Sequence, residues 1–278
     1  MITEQKLMEL QNTAAKMRLE LIKMMGFGKA HHFGGSLSSI EIMTALYFYK
    51  MRINPNDLDW PERDRFIMSK GHSVPSQYVA LALLGIITED ELKGLKTFGS
   101  ILQGHPNSWK TPGVEACTGS LGQGLSFGNG VALGAKLRKL NTRVFVVLGD
   151  GELHEGQVWE AALTSATHHL DNLVAIIDRN SLCSQGDTDK PKNLEPLKEK
   201  WDAFGWHTIE IIGHNLVEIC AALDEAENTK GKPTMIIAKT VKGKGLSFAE
   251  GKFEFHNSAI NAEQYHQAIA EVTLEDVK

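Results

Sequence analysis

The second half of the chain alternates apolar, strand-like runs with segments of helical periodicity, and this alternation constrains the fold more than any other feature. The apolar runs span residues 143–151, 173–180, 206–212 and 234–240, with helical segments at 156–168 and 216–228. Strands that are apolar on both faces are typical of a parallel sheet covered by helices on both sides. We therefore predict an α/β fold with a doubly wound, mostly parallel sheet and helices on both faces.

In the first half of the chain, the sequence predicts one further strand and the first residues of two helices. The run RFIMS at 65–69 has the length of a short buried strand. The pairs Ser38/Glu41 and Thr88/Glu91 match the capping box, in which two side chains satisfy the free N–H groups at the start of a helix. We expect a helix to begin at each pair.

A helix predicted over residues 121–140 carries Gly124, Gly128, Gly130 and Gly134 at interior positions. Each interior glycine costs a helix about 1 kcal/mol relative to alanine. We expect these positions to permit close approach of another element or of another subunit.

Composition excludes several classes of protein. The 278 residues are 42% hydrophobic and 23% charged, with a formal net charge of −5, which is typical of a globular chain and not of a disordered one. No block of basic residues suits nucleic acid, and no apolar run approaches the roughly 18 residues of a membrane span. Three cysteines without zinc-type spacing, and no apolar signal core, favour a cytoplasmic protein. With no repeat or linker, we expect residues 1–278 to form one domain.

Candidate ligand-binding residues end two successive strands. The triplet Gly149-Asp150-Gly151 ends one predicted strand, and Asn180 ends the next, thirty positions beyond Asp150. Ligands of α/β sheets bind beyond the carboxyl ends of the strands, where both groups would meet. A carboxylate, an amide oxygen, a backbone carbonyl and two phosphate oxygens nearly complete an oxygen octahedron for Mg²⁺. The pair therefore predicts a site for a metal-bound diphosphate.

This arrangement resembles the Gly-Asp-Gly…Asn motif of thiamine diphosphate enzymes, and its surroundings resemble the diphosphate-binding domain of transketolases. The resemblance is carried by GDGELHEGQVWEAALTSATHHLDNLVAIIDRN, TGSLGQGLSFGNGVALG, AFGWHTIEIIGH and AKTVKGKG. It spans almost the whole chain. It is strongest to the N-terminal subunits of split transketolases, which carry this domain as a separate polypeptide.

The resemblance implies a transferase of carbohydrate metabolism, of the pentose phosphate type, that moves a two-carbon ketol unit from a ketose phosphate to an aldose. It implies thiamine diphosphate as the cofactor and Mg²⁺ as the metal, with Ca²⁺ or Mn²⁺ as alternatives. In transketolases a glutamate of a second, pyrimidine-binding domain engages the cofactor, and no residue here matches it. We therefore expect the pyrimidine-binding and C-terminal domains on a partner chain, and a heterotetramer of two copies of each.

The resemblance also implies site residues. The metal ligands would be Asp150, Asn180 and the backbone carbonyl of Leu182. The cofactor-binding set would be His72, Gly119, Ser120, Leu121, Gly149, Asp150, Gly151, Glu152, Glu155 and Asn180. Glu155 corresponds to a glutamate that, in transketolases, joins a carboxylate network between the two active sites.

Four histidines lie in loops beside glycine or asparagine: His32, His72, His105 and His256. An imidazole can hold a sugar hydroxyl and move its proton near neutral pH. By resemblance, His32 and His256 would move protons at the substrate and His105 would hold a donor hydroxyl, so these three are the candidate catalytic residues. His72 would approach the diphosphate.

The chain departs from the family pattern at three places. Phe33 stands where the family has proline, the segment after Asn180 reads SLCSQG, and the segment around His256 reads FEFHNSAI. We expect Phe33 and Asn257 to flank the substrate mouth, with Phe33 narrowing it. The identities of donor and acceptor are therefore where this chain is expected to differ from its family.

Three other interpretations stay open. The alpha chain of a 2-oxo acid dehydrogenase shares Gly-Asp-Gly but is expected to lack this histidine set. A phosphohydrolase of the haloacid-dehalogenase type has Asn-Asp after the triplet, where this chain has Glu-Leu-His-Glu and no Asp-x-Asp pair near its start. A non-catalytic regulatory subunit that keeps the fold is disfavoured by the intact Asp150/Asn180 pair.

Overall fold

Five parallel strands form the central sheet of the computed structural model, which describes residues 2–275. They are β1 (Arg65–Met68), β2 (Val144–Gly149), β3 (Leu173–Arg179), β6 (His207–Ile212) and β7 (Thr234–Lys239), in the spatial order β1-β2-β3-β7-β6. Two short strands, β4 (Leu182–Cys183) and β5 (Gly186–Asp187), form a separate antiparallel hairpin after β3. The predicted parallel sheet is confirmed.

Helices cover both faces of the sheet. One core contains residues of α1 (Glu4–Met25), α3 (Ile40–Ala45), α4 (Val74–Leu83), α9 (Leu216–Asn228) and α10 (Ala262–Glu275). The opposite core contains residues of α6 (Gln123–Leu137), α7 (Gly156–Thr167) and α8 (Leu197–Ala203). Within β2, Val147 points into the first core and Val146 into the second, as the two-residue period of a strand requires. The doubly wound α/β prediction is therefore confirmed.

The carboxyl ends of the strands meet at one edge of the sheet. Gly149 at the end of β2 is in register with Asp178 of β3, and Asp178 is in register with Ala238 of β7. The loops that follow these strands therefore leave the sheet side by side, which is the position where α/β sheets bind ligands.

The two predicted capping boxes have different outcomes. Thr88 caps α5 (Glu89–Leu92), and both reciprocal hydrogen bonds with Glu91 are present, so this prediction is confirmed. The Ser38/Glu41 prediction is wrong, because Ser38 ends the short helix α2 (Phe33–Ser38) and gives its hydroxyl to a distant carboxylate.

The glycines of α6 fall on two faces. A Cβ at Gly124 would lie 2.3 Å from Ser69 Oγ, and a Cβ at Gly128 would lie 2.7 Å from a methyl carbon of Val146, so both permit close packing on the sheet. A Cβ at Gly130 or Gly134 would meet no atom within 4 Å. The second pair therefore leaves a flat, open strip on the outer face of the helix.

Candidate functional site

A cavity of about 280 Å³ opens at the carboxyl edge of the sheet. Ten of the predicted site residues line it: His72, Leu121, Gly149, Asp150, Gly151, Glu152, Glu155, Asn180, Leu182 and His256. It therefore brings together residues that lie up to 184 positions apart in the sequence, from His72 to His256.

Asp150 is 2% exposed and lies where β2 gives way to a short 3₁₀ turn. Its carboxylate accepts hydrogen bonds from the backbone N–H groups of Gly151 (2.8 Å) and Ser181 (2.5 Å), and Arg179 lies 3.4 Å away. Burial and the nearby carboxylate of Asp178 nevertheless raise the pKa of Asp150 above its usual value. A cation placed beside this carboxylate would therefore be strongly favoured.

The other two predicted metal ligands belong to the loop after β3. The side-chain oxygen of Asn180 accepts a hydrogen bond from the Leu182 N–H (3.2 Å), and the Leu182 carbonyl accepts one from the Nζ of Lys242 (3.0 Å). With Asp150, this set provides a carboxylate, an amide and a carbonyl oxygen, the hard ligands that Mg²⁺ and Ca²⁺ prefer. The residues present fit such a cation.

No group of three or more His, Cys, Asp or Glu side chains within residues 2–275 is arranged to hold a metal ion. A cation at this edge would therefore rely on the neutral oxygens of Asn180 and Leu182, and on oxygens of a bound ligand, to complete its coordination. A diphosphate has the oxygens to do this.

A buried ion pair that the sequence reasoning missed supports the loops around the cavity. Lys70 and Asp178 both line the cavity, and the Lys70 Nζ lies 2.5 Å from the Asp178 carboxylate. Lys70 also donates to the Gly35 carbonyl (2.8 Å) and the Ser39 hydroxyl (2.9 Å). Although burial alone would raise it, the pKa of Asp178 lies below its usual value because of Lys70 and further hydrogen bonds, including one from Ser38.

Lys242 is the second missed cation, and it is 3% exposed. It lines the cavity, and burial lowers the pKa of its ammonium group. Both lysines could have been predicted from their positions just after strands. Lys70 is the second residue after β1 and Lys242 is the third after β7, so both lie at the carboxyl edge of the sheet, where ligands bind. Gly35, Cys183, Ser184 and Gln185 also line the cavity and were not predicted.

Two predicted cofactor-binding glutamates differ in their surroundings. Glu152 is 2% exposed and its carboxylate is occupied by protein groups, accepting from Ser69 Oγ, the Gly122 N–H (2.8 Å) and the Gly149 N–H (3.0 Å). Burial raises the pKa of Glu152. Glu152 therefore fixes the loops that form one wall of the cavity. Glu155 also lines the cavity, and its Cβ would lie 2.8 Å from a Cβ at Gly122.

The Gly119-Ser120-Leu121 segment reaches the site in part. Leu121 lines the cavity, whereas Gly119 and Ser120 do not, and Ser120 is exposed. Gly119 has φ +138°, and a Cβ there would lie 2.8 Å from the imidazole of His105. The glycine is therefore required for the backbone to pass beneath that ring.

The four predicted histidines form one cluster. Ring centroids lie 4.9 Å apart for His72 and His256, 5.0 Å for His72 and His32, and 5.5 Å for His256 and His32. His105 follows at 6.2 Å from His32. His72 and His256 line the cavity, while His32 and His105 extend the cluster away from it towards the surface.

These imidazoles are held in their neutral form. Burial, with the neighbouring charges, lowers the pKa of His32 to about 4 and that of His256 to about 3. Burial likewise lowers the pKa of His72 and His105. Within the described residues, Nδ1 of His256 is buried without a hydrogen-bond partner. A neutral imidazole with an unsatisfied ring nitrogen is suited to exchange a proton with a bound molecule.

The structure corrects the expectation for Phe33. Its side chain is fully buried at the start of α2 and packs edge-on against the ring of His31, with centroids 6.1 Å apart. Phe33 therefore belongs to the core and does not narrow a substrate mouth. Asn257, in contrast, is exposed beside His256.

The fold and this cavity define an α/β protein of the doubly wound class with a candidate ligand site at the carboxyl edge of its sheet. Residues 10–276 match the family described as transketolase, thiamine diphosphate binding domain. The chain belongs to this family. The match excludes the 2-oxo acid dehydrogenase and phosphohydrolase interpretations as family assignments.

Named relatives include both short subunits and longer enzymes. The chain is 44% identical over 264 residues to the 6-deoxy-6-sulfo-D-fructose transketolase subunit SqwG of a Clostridium species, covering 95% of each chain. It is 43% identical over 266 residues to an apulose-4-phosphate transketolase subunit of Phocaeicola vulgatus, covering 96% of this chain and 94% of that one. Its structure matches a transketolase from Leishmania mexicana with a TM-score of 0.87 and 32% identity, covering 96% of this chain and 41% of that enzyme.

No helix within residues 2–275 combines the length and apolar character needed to span a membrane.

Proposed function

We propose that this chain is the thiamine diphosphate- and Mg²⁺-binding subunit of a transketolase that transfers a two-carbon ketol unit from a ketose phosphate to an aldose. One observation carries the proposal: Asp150, Asn180 and Leu182 share a cavity with His72 and His256. Oxygen atoms suited to bind a divalent cation therefore lie beside neutral imidazoles at one edge of the sheet. The family to which the chain belongs binds this cofactor in the same domain.

Each ligand-binding group has a distinct role in the proposal. Asp150, Asn180 and the Leu182 carbonyl would hold the cation, Ca²⁺ or Mn²⁺ being alternatives, and the Gly149–Gly151 turn would hold the diphosphate. When bound, thiamine diphosphate supplies the nucleophilic carbon and the electron sink of the reaction. The cation offsets the negative charge of the diphosphate, which Asp150 alone would repel.

The histidines would act on the sugar. His32 and His256 are neutral and accept or return protons at the donor's hydroxyl and carbonyl oxygens, and His105 holds a donor hydroxyl. His72, deepest in the cluster, would contact the diphosphate. These four rings come from four separate segments of the chain, and His72 and His256 lie in short 3₁₀ helices.

We propose that a separate partner subunit completes the active site with the pyrimidine-binding and C-terminal domains. Two relatives that this chain covers over almost their full length are named subunits. Phe98 and Trp109, in the loops around His105, are 109% and 91% exposed, as expected for aromatic side chains that a partner covers.

Self-association of this chain is the second part of the proposed assembly. The open strip of Gly130 and Gly134 lies beside exposed Phe127 and Leu137 on α6, which are 50% and 76% exposed. Residues spaced by three and four share one helix face, so these four form an apolar surface with a flat centre. We propose that two copies pack here, giving a heterotetramer.

The free thiols of Cys117, Cys183 and Cys220 are consistent with a cytoplasmic location.

Reconstitution tests the proposed function. The chain and a candidate C-terminal transketolase subunit, sought first in the neighbouring reading frame, are purified separately and mixed with thiamine diphosphate and Mg²⁺. We expect ketol transfer across a panel of ketose phosphate donors and aldose acceptors only after mixing, and light scattering should show two copies of each chain. Robust turnover by this chain alone would contradict the split-enzyme proposal. No turnover with a folded, cofactor-loaded partner complex would instead favour a non-catalytic subunit.

A further inference from the structure

The histidine cluster forms a row that runs from the cavity to the surface. His72 and His256 line the cavity, His32 follows, and His105 lies in an exposed loop at the outer end. If the reacting end of a ketose lies at the cavity, as in the proposed function, the rest of the sugar extends along this row towards solvent. A side chain at the outer end of this histidine row would therefore contact the far end of the donor ketose.

Lys96 lies at that outer end. Its Nζ donates to the Ala30 carbonyl (2.8 Å), two residues before His32, and its backbone N–H donates to the Leu102 carbonyl (3.0 Å). Its side-chain carbons lie over Gly104, where a Cβ would be 3.3 Å from Lys96 Cε. Lys96 thus bridges the two loops that carry His32 and His105.

The charge of Lys96 is not neutralised by a carboxylate. Among residues 2–275 it forms no ion pair, whereas Lys93, three residues earlier, is paired with Asp90 at 2.6 Å. Burial is the largest cause of the lowered pKa of His31 and His105, and the charge of Lys96 is the second. The same charge also contributes to the lowered pKa of His32. An exposed ammonium that faces a row of neutral rings provides a positive potential at the mouth of the site.

We propose that Lys96 binds the anionic group at the far end of the donor ketose and makes this chain select anionic donors. The shared chemistry is a tetrahedral oxyanion, either a phosphate or a sulfonate. A lysine ammonium suits either, because it is a compact charge with three N–H donors, of which the Ala30 carbonyl uses one. This inference rests on the proposed function, since it assigns the donor's direction along the row.

The test compares charged and uncharged donors in the assembled two-subunit enzyme. Lys96→Arg, Lys96→Met and Lys96→Glu are assayed with a ketose phosphate, a ketose sulfonate and the same ketose without either group. We expect Lys96→Met to lower kcat/KM for a charged donor about fivefold, Lys96→Glu to lower it further, and Lys96→Arg to stay near wild type. The uncharged ketose should change less than twofold in each variant, and Lys93→Met is the matched control. The preferred oxyanion is identified by the donor with the larger loss.

A second measurement does not need turnover. Inorganic phosphate or methanesulfonate is added to the isolated chain, and the ring C–H signals of His32 and His105 are followed by NMR. We expect these signals to shift in the wild type and in Lys96→Arg but not in Lys96→Met.

The outcomes separate the two proposals. Equal losses for charged and uncharged donors would make Lys96 a structural bridge between loops and overturn the inference, as would equal behaviour of the Met and Glu variants. Absence of ketol transfer from every donor by the wild-type complex would overturn the proposed function. In that case the NMR titration still decides whether Lys96 binds an oxyanion, and unchanged signals would reject it.

Discussion

Lys242 donates a hydrogen bond from its Nζ to the backbone carbonyl of Leu182, at 3.0 Å. This is the carbonyl proposed as a metal ligand, so a buried ammonium already contacts one oxygen of the cation site. The side chain is 3% exposed, and burial lowers its pKa because the charged form loses hydration. The carboxylates of Asp178 and Asp150 act in the opposite direction and favour the charged ammonium, so positive charge at this edge of the sheet depends on these two acidic groups.

Replacing Lys242 with methionine should weaken cofactor binding. The substitution removes one of two lysine charges in the cavity lining, so we expect the dissociation constant of thiamine diphosphate to rise about tenfold with Mg²⁺ in excess. Calorimetry on the assembled enzyme measures this directly. Lys239→Met, which removes an exposed charge from the same segment, is the control. An unchanged dissociation constant would show that Lys242 does not face the diphosphate.

Loss of the Asp150 carboxylate should abolish retention of thiamine diphosphate by the assembled enzyme while the fold survives. Without that carboxylate the cation loses its only charged protein ligand among the three proposed, and the diphosphate loses the cation. Asp150→Ala and the isosteric Asp150→Asn should behave alike in calorimetry with Mg²⁺. Asp189→Asn serves as the control, because Arg179 keeps Glu195 as a partner there. Cofactor affinity equal to wild type in either Asp150 variant would refute the metal assignment.

Removing the His32 imidazole should slow the reaction without emptying the site. A positioned acid or base contributes about 100-fold or more, so we expect His32→Ala to lower the rate of ketol transfer by roughly that factor. Cofactor and metal occupancy should stay near normal, because the His32 ring does not line the cavity. His207→Ala, at the start of β6, is the control for loss of an imidazole elsewhere. Wild-type turnover by His32→Ala would make the proposed role of His32 wrong.

The free energy of unfolding of the isolated chain should fall as the pH is lowered from 6.5 towards 4. The pKa of His32 is about 4 and that of His256 about 3 in the folded chain, against 6.5 for an ordinary histidine. In this window the unfolded chain binds more protons than the folded chain, so acid favours unfolding. Glu41, whose pKa of about 2 reflects Arg18 and His214 acting against burial, loses its contribution only below about pH 4.5.

Urea unfolding at pH 7 and pH 5 measures this effect. We expect each of the two histidines to contribute on the order of 1 kcal/mol to the difference, reduced by solvent that reaches the rings. The double variant His32→Gln, His256→Gln should therefore show a smaller loss of stability between the two pH values. An identical loss in wild type and double variant would contradict the depressed pKa values.

A charged side chain on the open strip of α6 should prevent self-association. Gly134→Glu places a carboxylate where a Cβ meets no atom of its own chain within 4 Å, so the monomer should still fold. We expect size-exclusion chromatography with light scattering to show half the wild-type mass for the complex. Ala221→Glu, on the exposed face of α9 across the sheet, should leave the mass unchanged. A wild-type mass for Gly134→Glu would show that the two copies meet elsewhere.

Local patterns in the sequence predicted the structure well where no group distant in the sequence competes for the same side chains. The apolar runs predicted parallel strands because their hydrophobicity on both faces requires helices on both sides. Thr88 and Glu91 form the predicted capping box because both lie near solvent at a helix start, with no buried partner to claim them. The histidines and the Asp150/Asn180 pair were identified as candidates from their loops and strand ends.

Ser38 and Glu41 show where the local pattern fails. The Ser38 hydroxyl is 2.6 Å from Asp178, 140 positions away, and Glu41 is paired with Arg18 and with His214. A buried carboxylate must be satisfied wherever it lies, and the stabilisation from these partners exceeds the roughly 1 kcal/mol of a helix cap. The capping-box pattern is the same at Ser38/Glu41 as at Thr88/Glu91, but Ser38 and Glu41 are buried and bind distant partners, so no capping box forms there.

The sequence by itself determined the order and type of the strands, the residues at their carboxyl ends and the family to which they point, because strand periodicity and strand-end chemistry are written in neighbouring residues. Only the tertiary structure decided that Lys70 and Lys242 enter the cavity, that Phe33 lies in the core and that Gly130 and Gly134 remain open. These outcomes depend on which distant groups share a low-dielectric interior. There an unpaired charge or an unfilled space costs free energy that local propensity cannot offset.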